Sequence, residues 1–404
     1  MAHVLLGVTG SIAAYKAPLL VRALQKAGHE VTVILTRAAA EFVAPLTLEV
    51  LTRRPVLREI WTTPESGASP GEWTQHIALA KRADVLLIAP ATAHTLARLA
   101  QGFCDDLLSA IFLATRKPVL IAPAMETEMY RHPATQANLE RLRRLPHVTI
   151  IPPGKGFLAS GSEGVGRLAS LYRIRLAVES AVAEPLLKGK KVLLTAGATR
   201  EPWDAVRFLS NGSTGQMARA LAEAAYILGA ETVHVLSAYT EVRFHKGLFQ
   251  VTFAPTAQAL FEAFQAYYAE YDWLIFAAAV SDYTFAESWP GKHKKTSEGL
   301  SLALVPTPDI LAWAGEHKKP HQLLIGFALE EAGQEALAEE KRRRKKADWI
   351  AFNPITPRTG MGSPTNVLVL LGPRGERREL PLAPKGQLAR EMLTFIAHAS
   401  AGQP

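Results

Sequence analysis

Short runs that are apolar at nearly every position recur along the chain, separated by longer segments that mix apolar and polar residues. In the first half the runs are Val4 to Val8, Val31 to Leu35, Val85 to Ala89, Val119 to Ala122 and Val148 to Ile151. In the second half they are Val192 to Thr195, Thr232 to Leu236, Trp273 to Ala279, Leu302 to Val305, Leu323 to Phe327 and Trp349 to Phe352. Strands that are apolar throughout, and not at alternate positions, are buried on both faces. The mixed segments between them predict crossover helices. The chain therefore reads as α/β, with two doubly wound, mostly parallel sheets of the Rossmann-like class and ligands at the carboxyl ends of the strands. Two closing runs, Asn366 to Leu371 and Arg377 to Leu380, flank Gly372-Pro373-Arg374-Gly375, a turn signal that predicts a hairpin. The halves are alike in class, but no sequence period makes them internal repeats.

The pattern breaks in two places. Residues 153–168, PGKGFLASGSEGVGRL, are rich in glycine and poor in core candidates, and predict a flexible flap or an arm. After a helix near Leu171 to Val182, the stretch from Glu184-Pro185 to Lys191 carries charge without an apolar period. The boundary belongs there, with one domain over 1–183, a linker over 184–190 and a second domain over 191–404.

The stretch Leu193 to Met217, LLTAGATREPWDAVRFLSNGSTGQM, starts as an apolar strand, turns at Gly197 and enters a helical pattern near Thr214. A strand that ends in glycines and opens a helix offers free backbone N–H groups and the positive helix end to an anion, usually a phosphate. The loop is long for a simple turn and carries Thr199, Arg200, Glu201, Arg207, Ser210 and Asn211. So many polar side chains point to chemistry as well as phosphate binding, the alternative being an ordinary long connection. The first half has a shorter version, Gly7 to Lys16 (GVTGSIAAYK), which is a weak mark alone. An NAD site would place an acid near the end of the second strand. Thr36-Arg37 stands there, which leaves NADP or a phosphate-bearing flavin. The third strand ends in Ala89-Pro90-Ala91-Thr92-Ala93, and the helix after it is read with Asp105 and Asp106 near its middle. Hydroxyls at strand ends suit a ribityl chain and one phosphate. His76, before or within the short helix ahead of the third strand, is a candidate base, although a lone histidine is more often a satisfied core or surface residue.

Composition narrows the class. The 404 residues imply two to three domains, and 48% hydrophobic with 20% charged residues is the balance of a chain that buries a large core. Cys104 is the only cysteine, which excludes a disulfide framework and a cysteine-rich zinc site and favours a reducing compartment. The start, MAHVLLGVTG, reads as a first strand and not a signal peptide, and no run approaches the length of a membrane span. The cytoplasm is the expected location. A net charge of +8 and a pI near 9.5 fit nucleic acid, a membrane surface or phosphorylated small molecules alike. The one dense cationic run, Lys341 to Lys346 (KRRRKK), falls in a single predicted helix without interleaved aromatics to stack on bases. A solvated face and a ligand face both fit it better than a nucleic-acid stripe.

Several motifs carry a resemblance. GVTGSIAAYK, QHIALAKRAD around His76, APATA with ARLAQGFCDDLLSAIFLAT, and PAMETEMY resemble the flavin-dependent cysteine decarboxylases. TAGATREPWDAVRFLSNGSTG, AAAVSDY, TPDI, GFALEE and KRRRKKAD resemble the phosphopantothenate–cysteine ligases. In this order they resemble the bifunctional coenzyme A biosynthesis family over nearly all of residues 3–390. The resemblance implies a flavodoxin-like FMN half in which Gly10, Ser11, Thr36, Ala89 and Thr92 line FMN and His76 is the base. It implies a ligase half that uses CTP, phosphopantothenate and cysteine through an acyl-cytidylate. Lys292, in the loop PGKHKKTSE, would stabilise the transition state, with Lys341 and Lys345 one turn apart. Asn211 would position the acyl intermediate, Asp282 would contact the nucleotide or its Mg2+, Ala278 would be among the CTP-binding residues, Phe327 would pack on the base, and Pro308, Asp309 and Ile310 would shape the pocket. Arg207 is a further substrate candidate. Trimers through the flavin half and dimers through the ligase half are implied, with no nucleic acid and no membrane.

The chain departs from the family pattern at Gln216, where a lysine is usual, at Ala198, where a proline is usual, and at two positions of the first half. An asparagine that holds the substrate carboxylate is replaced by Glu126, and a flap cysteine that serves the reduction of the enethiol intermediate is replaced by Ser160. An ionised Glu126 would meet the substrate carboxylate with like charge, and a hydroxyl is a far weaker acid than a thiol. The ligase reaction is therefore expected to run well and the decarboxylation poorly or not at all. A ligase joined to a silent FMN-binding module and an NADP-dependent oxidoreductase are the alternatives.

Overall fold

Val4, Leu5, Leu6 and Val8 have no solvent exposure, which only a strand covered on both faces can achieve. The computed structural model describes residues 1–60, 74–295, 297, 299–356 and 358–401. It divides the chain into two compact units, Met1–Ala183 and Glu184–Pro404.

The first unit runs β1 (His3–Val8), α1 (Ala17–Lys26), β2 (Glu30–Leu35), α2 (Pro45–Thr52), α3 (Gln75–Arg82), β3 (Val85–Ala91), α4 (Ala93–Gln101), α5 (Leu107–Ala114), β4 (Val119–Pro123), α6 (Thr127–Arg131), α7 (Pro133–Arg143), β5 (Val148–Ile150), β6 (Gly154–Phe157), β7 (Glu163–Arg167) and α8 (Leu171–Val182). Its five strands lie parallel in the order β2-β1-β3-β4-β5, the doubly wound order that reverses direction beside β1. Helix α1 shows how the pattern becomes packing. Ala17, Leu20, Val21 and Leu24 recur at helical spacing and are buried, each leucine contributing about 1.5–3 kcal/mol.

The second unit runs β8 (Lys191–Ala196), β9 (Arg200–Pro202), β10 (Phe208–Ser210), α9 (Gln216–Ile227), β11 (Thr232–Ser237), β12 (Gln250–Phe253), α10 (Ala257–Tyr267), β13 (Trp273–Phe276), β14 (Tyr283–Phe285), β15 (Leu304–Pro306), α11 (Ile310–His317), β16 (Leu323–Glu331), α12 (Glu335–Arg344), β17 (Trp349–Ile355), β18 (Thr365–Leu371), β19 (Arg377–Pro384) and α13 (Lys385–Ala401). Eight strands form one sheet in the order β12-β11-β8-β13-β16-β17-β18-β19. The strands from β12 to β17 are parallel, and β17-β18-β19 are antiparallel, with β18 and β19 paired as the turn at 372–375 predicts. Four short strands were not legible as apolar runs: β9, β10, β12 and β14. The run near Leu302 is also no sheet strand, since β15 pairs only with β14 in an exposed ribbon.

Among the described residues no helix is long and apolar enough to cross a membrane. The core of the second unit centres on Trp349, which is 2% exposed and meets Phe395 of α13 edge-on at 5.6 Å. Trp349→Ala should cost about 3–5 kcal/mol through lost burial and the cavity left behind. Urea unfolding of the full chain measures this as an earlier transition, and an unchanged midpoint would show that the ring carries no such share.

Candidate functional site

Parallel strands leave their carboxyl ends open, and in the second unit the ends of β13, β16 and β17 border a cavity of about 780 Å³. Asn211, Ala278, Asp282, Pro308, Asp309, Ile310, Phe327, Lys341 and Lys345 all line it. Lys292 does not: it is exposed and stands outside that lining, as does Arg207. Thr296 and Glu298 of the Lys292 loop lie outside the described residues. Helix α9 opens onto the cavity through Gly215, Gln216 and Met217. Its N-cap is Gly215, which supplies no side chain to the helix end, so the first-turn N–H groups remain available to an anion.

The polar side chains of the long loop are mostly engaged in holding the backbone. Residues 200–210 fold as the β9-β10 hairpin and not as an open loop. Thr199 accepts from the Ser281 N–H at 2.9 Å, buried Glu201 accepts from the Ala257 N–H at 2.9 Å, and Ser210 donates to the Thr199 carbonyl at 2.7 Å. The Arg200 guanidinium lies over the rings of Phe208 and Tyr239, at 4.3 and 4.0 Å. Arg207 donates to Asp204 and to the His293 carbonyl. Asn211 uses its amide nitrogen on the carbonyls of Ala279 and Val280, at 3.3 and 3.1 Å, which pins it beside Asp282.

The cationic run is not one helix face. Helix α12 ends at Arg344, and Lys346 turns off in the left-handed region with φ 51°. The Lys345 N–H still reaches the Lys341 carbonyl at 2.9 Å, so both side chains line the cavity. Arg342 is buried and held by Glu339 and the Ala347 carbonyl, while Arg343 and Arg344 are exposed. Burial pushes the Lys341 ammonium down from its ordinary pKa, against the pull of Glu330 and Asp282. Burial likewise lowers Lys345, which pairs with Asp309. Incoming phosphates would favour the charged form of both. One lysine of the cavity was missed. Lys385 is 7% exposed, lowered by burial, and donates to the Gly360 carbonyl at 3.3 Å. It stands alone at the start of α13, and only the glycines of TGMGSPTN nearby hint at a site there.

In the first unit a cavity of about 1030 Å³ lies at the ends of β1, β2 and β3 and is lined by Gly10, Ser11, Thr36, Thr92, Arg37 and Arg58 among others. The three hydroxyls share one geometry. Ser11, Thr36 and Thr92 each cap a helical turn by accepting a backbone N–H, from Ala13, Ala39 and Thr95. A hydroxyl whose lone pair takes the N–H keeps its own O–H to donate, and that of Thr92 is shared with Thr95 Oγ1 at 3.1 Å. Such donors beside arginines suit a phosphate and a polyol chain. Gly10 permits the close wall, because a Cβ there would sit 2.5 Å from that of Ala38. Ala89 lies instead in the core, with no exposure, because the chain reaches the cavity only at Thr92. Asp105 and Asp106 are not mid-helix: two helices stand where one was expected, and Asp106 is the N-cap of α5. Both line the cavity and pair with Arg98. His76 sits on α3, outside the lining of this cavity, and its buried Nδ1 has no hydrogen-bond partner among the described residues.

The glycine-rich segment is a docked hairpin, β6-β7, and not a loose flap. A Cβ at Gly166 would stand 2.1 Å from the Met125 carbonyl oxygen, and one at Gly164 would stand 2.0 Å from Thr127 Oγ1, so the hairpin lies flush on 125–127. Its tip is bound by the two altered positions themselves. Ser160 donates to one carboxylate oxygen of Glu126 and Ser162 to the other, each at 2.9 Å. Glu126 lines a second cavity of about 410 Å³ that shares Ser11, Ala124 and Met125 with the first.

The comparisons agree with both halves. A family model described as Flavoprotein matches residues 1–182, and one described as DNA/pantothenate metabolism flavoprotein C-terminal domain matches 187–399. The chain is 40% identical over 402 residues to the coenzyme A biosynthesis bifunctional protein CoaBC of Bacillus subtilis, covering 98% of this chain and 97% of the relative. The protein of the same name from Vibrio vulnificus is 38% identical, with 97% and 96% covered. A solved C-terminal domain of a CoaBC protein is 35% identical, at a TM-score of 0.46, over 55% of this chain and all of that one.

The serine hydroxyls at 160 and, next, 162 hold the Glu126 carboxyl below the usual carboxylate range, since they donate to its ionised form. A depressed carboxyl binds the hairpin tip at any pH above that range and releases it only as pH falls through the lowered value. Replacing Ser160 and Ser162 together with alanine should move the Glu126 titration upward, read from its side-chain carboxyl 13C shift. An unmoved titration would mean the hydroxyls do not bind the carboxylate.

Proposed function

The chain belongs to the family of coenzyme A biosynthesis bifunctional proteins, whose two activities are phosphopantothenate–cysteine ligation and phosphopantothenoylcysteine decarboxylation, and we propose that here the ligase is the strong catalyst and the decarboxylase a slow one. Membership sets aside the NADP-dependent oxidoreductase that Arg37 left open.

The ligase reading rests on one convergence: Asn211, Asp282, Phe327, Lys341 and Lys345 meet the start of α9 around a single cavity. The co-substrate is CTP. The phosphopantothenate carboxylate attacks the α-phosphorus, the bond to the bridging oxygen breaks, and pyrophosphate leaves. The cysteine amine then attacks the acyl carbon and loses a proton as CMP departs. Negative charge on the phosphate oxygens is met by Lys341, Lys345 and the α9 N–H groups, with Lys292 brought in from the exposed loop. Ala278 and Phe327 border the base, Pro308, Asp309 and Ile310 close the pocket, and Asn211 orients the acyl group. Mg2+ would arrive on the nucleotide phosphates with Asp282 as a carboxylate contact, the usual manner for this ion. Among the described residues no group of three metal-ligating side chains is preformed.

In the first unit the flavin is FMN, whose phosphate and ribityl chain fit Ser11, Thr36 and Thr92 beside Gly10. A bound flavin supplies a reversible two-electron acceptor for the substrate thiol. His76 is the candidate base. The observation that makes this half slow is the ionised Glu126 in the cavity beside the flavin site, closed by hydroxyls where a thiol would serve. A silent FMN-binding module is the limit of the same reading. The chain acts in the cytoplasm as a homo-oligomer on small molecules, and neither nucleic acid nor membrane is a partner.

Mixing the protein with phosphopantothenate, cysteine, CTP and Mg2+ should yield phosphopantothenoylcysteine and pyrophosphate. Lys292→Ala should change stability by less than about 0.5 kcal/mol, because the residue is exposed. It should cost about 3 kcal/mol of transition-state stabilisation, on the order of a hundredfold in turnover. Wild-type rates in this variant would remove Lys292 from the mechanism. For the first unit the measurement is CO2 release from supplied phosphopantothenoylcysteine. The double variant Glu126→Asn, Ser160→Cys should exceed the parent, and equal rates would show that neither position limits the reaction.

A further inference from the structure

Lys292 is exposed, yet the backbone on both sides of it is tied down. The Trp289 N–H donates to the Trp203 carbonyl at 2.6 Å, and the Ala205 N–H donates to the Gly291 carbonyl at 3.0 Å. The ring of His293 lies 5.1 Å from that of Trp203 and 4.9 Å from that of Trp289. At the centre is Asp204, whose side chain is fully buried and whose two oxygens do different work. Oδ1 accepts the N–H groups of Val206 and Arg207, at 2.7 and 2.6 Å, and so closes the turn of the β9-β10 hairpin. Oδ2 accepts Nη1 of Arg207 at 2.8 Å and the N–H of His293 at 3.1 Å. The same guanidinium donates from Nη1 and Nη2 to the His293 carbonyl, at 3.2 and 3.3 Å. Both backbone groups of His293 are therefore held by one ion pair, in which Asp204 is buried and Arg207 is exposed.

We propose that Asp204 is a positioning residue for Lys292, fixing the root of its loop on the β9-β10 hairpin so that the ammonium engages the nucleotide from one fixed starting position. The proposal rests on the reading of Lys292 given above. The physical reason is entropic. Fixing a residue's backbone costs conformational entropy, and a loop already anchored at positions 289, 291 and 293 avoids that cost when the cation engages. Burial would raise the Asp204 carboxyl, but the N–H groups of Val206, Arg207 and His293, with the Arg207 charge, outweigh it and keep it ionised. The anchor therefore persists across the neutral range.

The division between the two oxygens supplies the test. Asp204→Asn keeps an acceptor for the turn at Oδ1 and replaces Oδ2 by an NH2 group, which cannot accept from His293 or Arg207. CTP-dependent amide formation in the full chain should fall at least tenfold in kcat, with little change in the KM for phosphopantothenate. The double variant with Lys292→Ala should be no slower than Lys292→Ala alone, because both remove the same contribution. Trp289→Ala, at a side chain 53% exposed, tests the anchor from the loop side should Asp204→Asn fail to fold. It should give a smaller loss that also vanishes in the Lys292→Ala background. Wild-type kcat in these variants while Lys292→Ala is inactive, or losses that multiply with Lys292→Ala, would overturn the positioning role and leave Lys292 in place. Full activity of Lys292→Ala itself would overturn the reading of Lys292 and the proposal with it.

Discussion

A parallel sheet must be covered on both faces, and this constraint governs where either unit can bind anything. Helices take the faces, so the strand ends are the only place where backbone groups and side chains remain open to a ligand. Both large cavities lie there, beside β1, β2 and β3 in one unit and beside β13, β16 and β17 in the other. The buried strands are rigid, and the polar residues just beyond their ends inherit that rigidity. Asn211 is pinned to the carbonyls that follow β13, and Thr9 links the end of β1 to Pro90 in β3 and to Thr92 just beyond it.

The second consequence concerns charge. A cavity at strand ends is partly desolvated, and a lysine there is destabilised until an anion arrives. Lys341, Lys345 and Lys385 are all lowered by burial, so the site holds lysines that are already partly desolvated. That is the arrangement in which fixed charge acts most strongly on a developing phosphate charge. Lys292, exposed on its anchored loop, differs in kind, because it keeps its water.

The first unit shows how two departures from a family pattern can depend on one another. Glu126 or Ser160 taken alone reads as a lost function. Together with Ser162 they form a carboxylate satisfied by two hydroxyls, which binds the hairpin tip over a cavity that adjoins the larger one of this unit. Neither substitution leaves an unpaired charge, so the folded state tolerates both while the chemistry of that corner changes.

The linear pattern determined every strand of the first sheet and all but β12 of the second, their mostly parallel direction and the closing β18-β19 hairpin, and the family motifs pointed to several of the residues that line the second unit's cavity. Apolar periodicity reports burial directly, and motif spacing places residues at strand ends. It could not determine which polar residues of TAGATREPWDAVRFLSNG support the backbone and which face the cavity, because a polar side chain looks alike in either role until its partner is known. Thr199, Glu201 and Asp204 proved to be staples whose partners lie far along the chain at Ser281, Ala257 and His293. The same limit hid Lys385, moved Ala89 into the core and split KRRRKK between cavity, ion pair and solvent. Whether Glu126 stands as a bare charge was likewise decided by tertiary structure alone, since only the folded hairpin carries Ser160 and Ser162 across more than thirty intervening positions to its two oxygens.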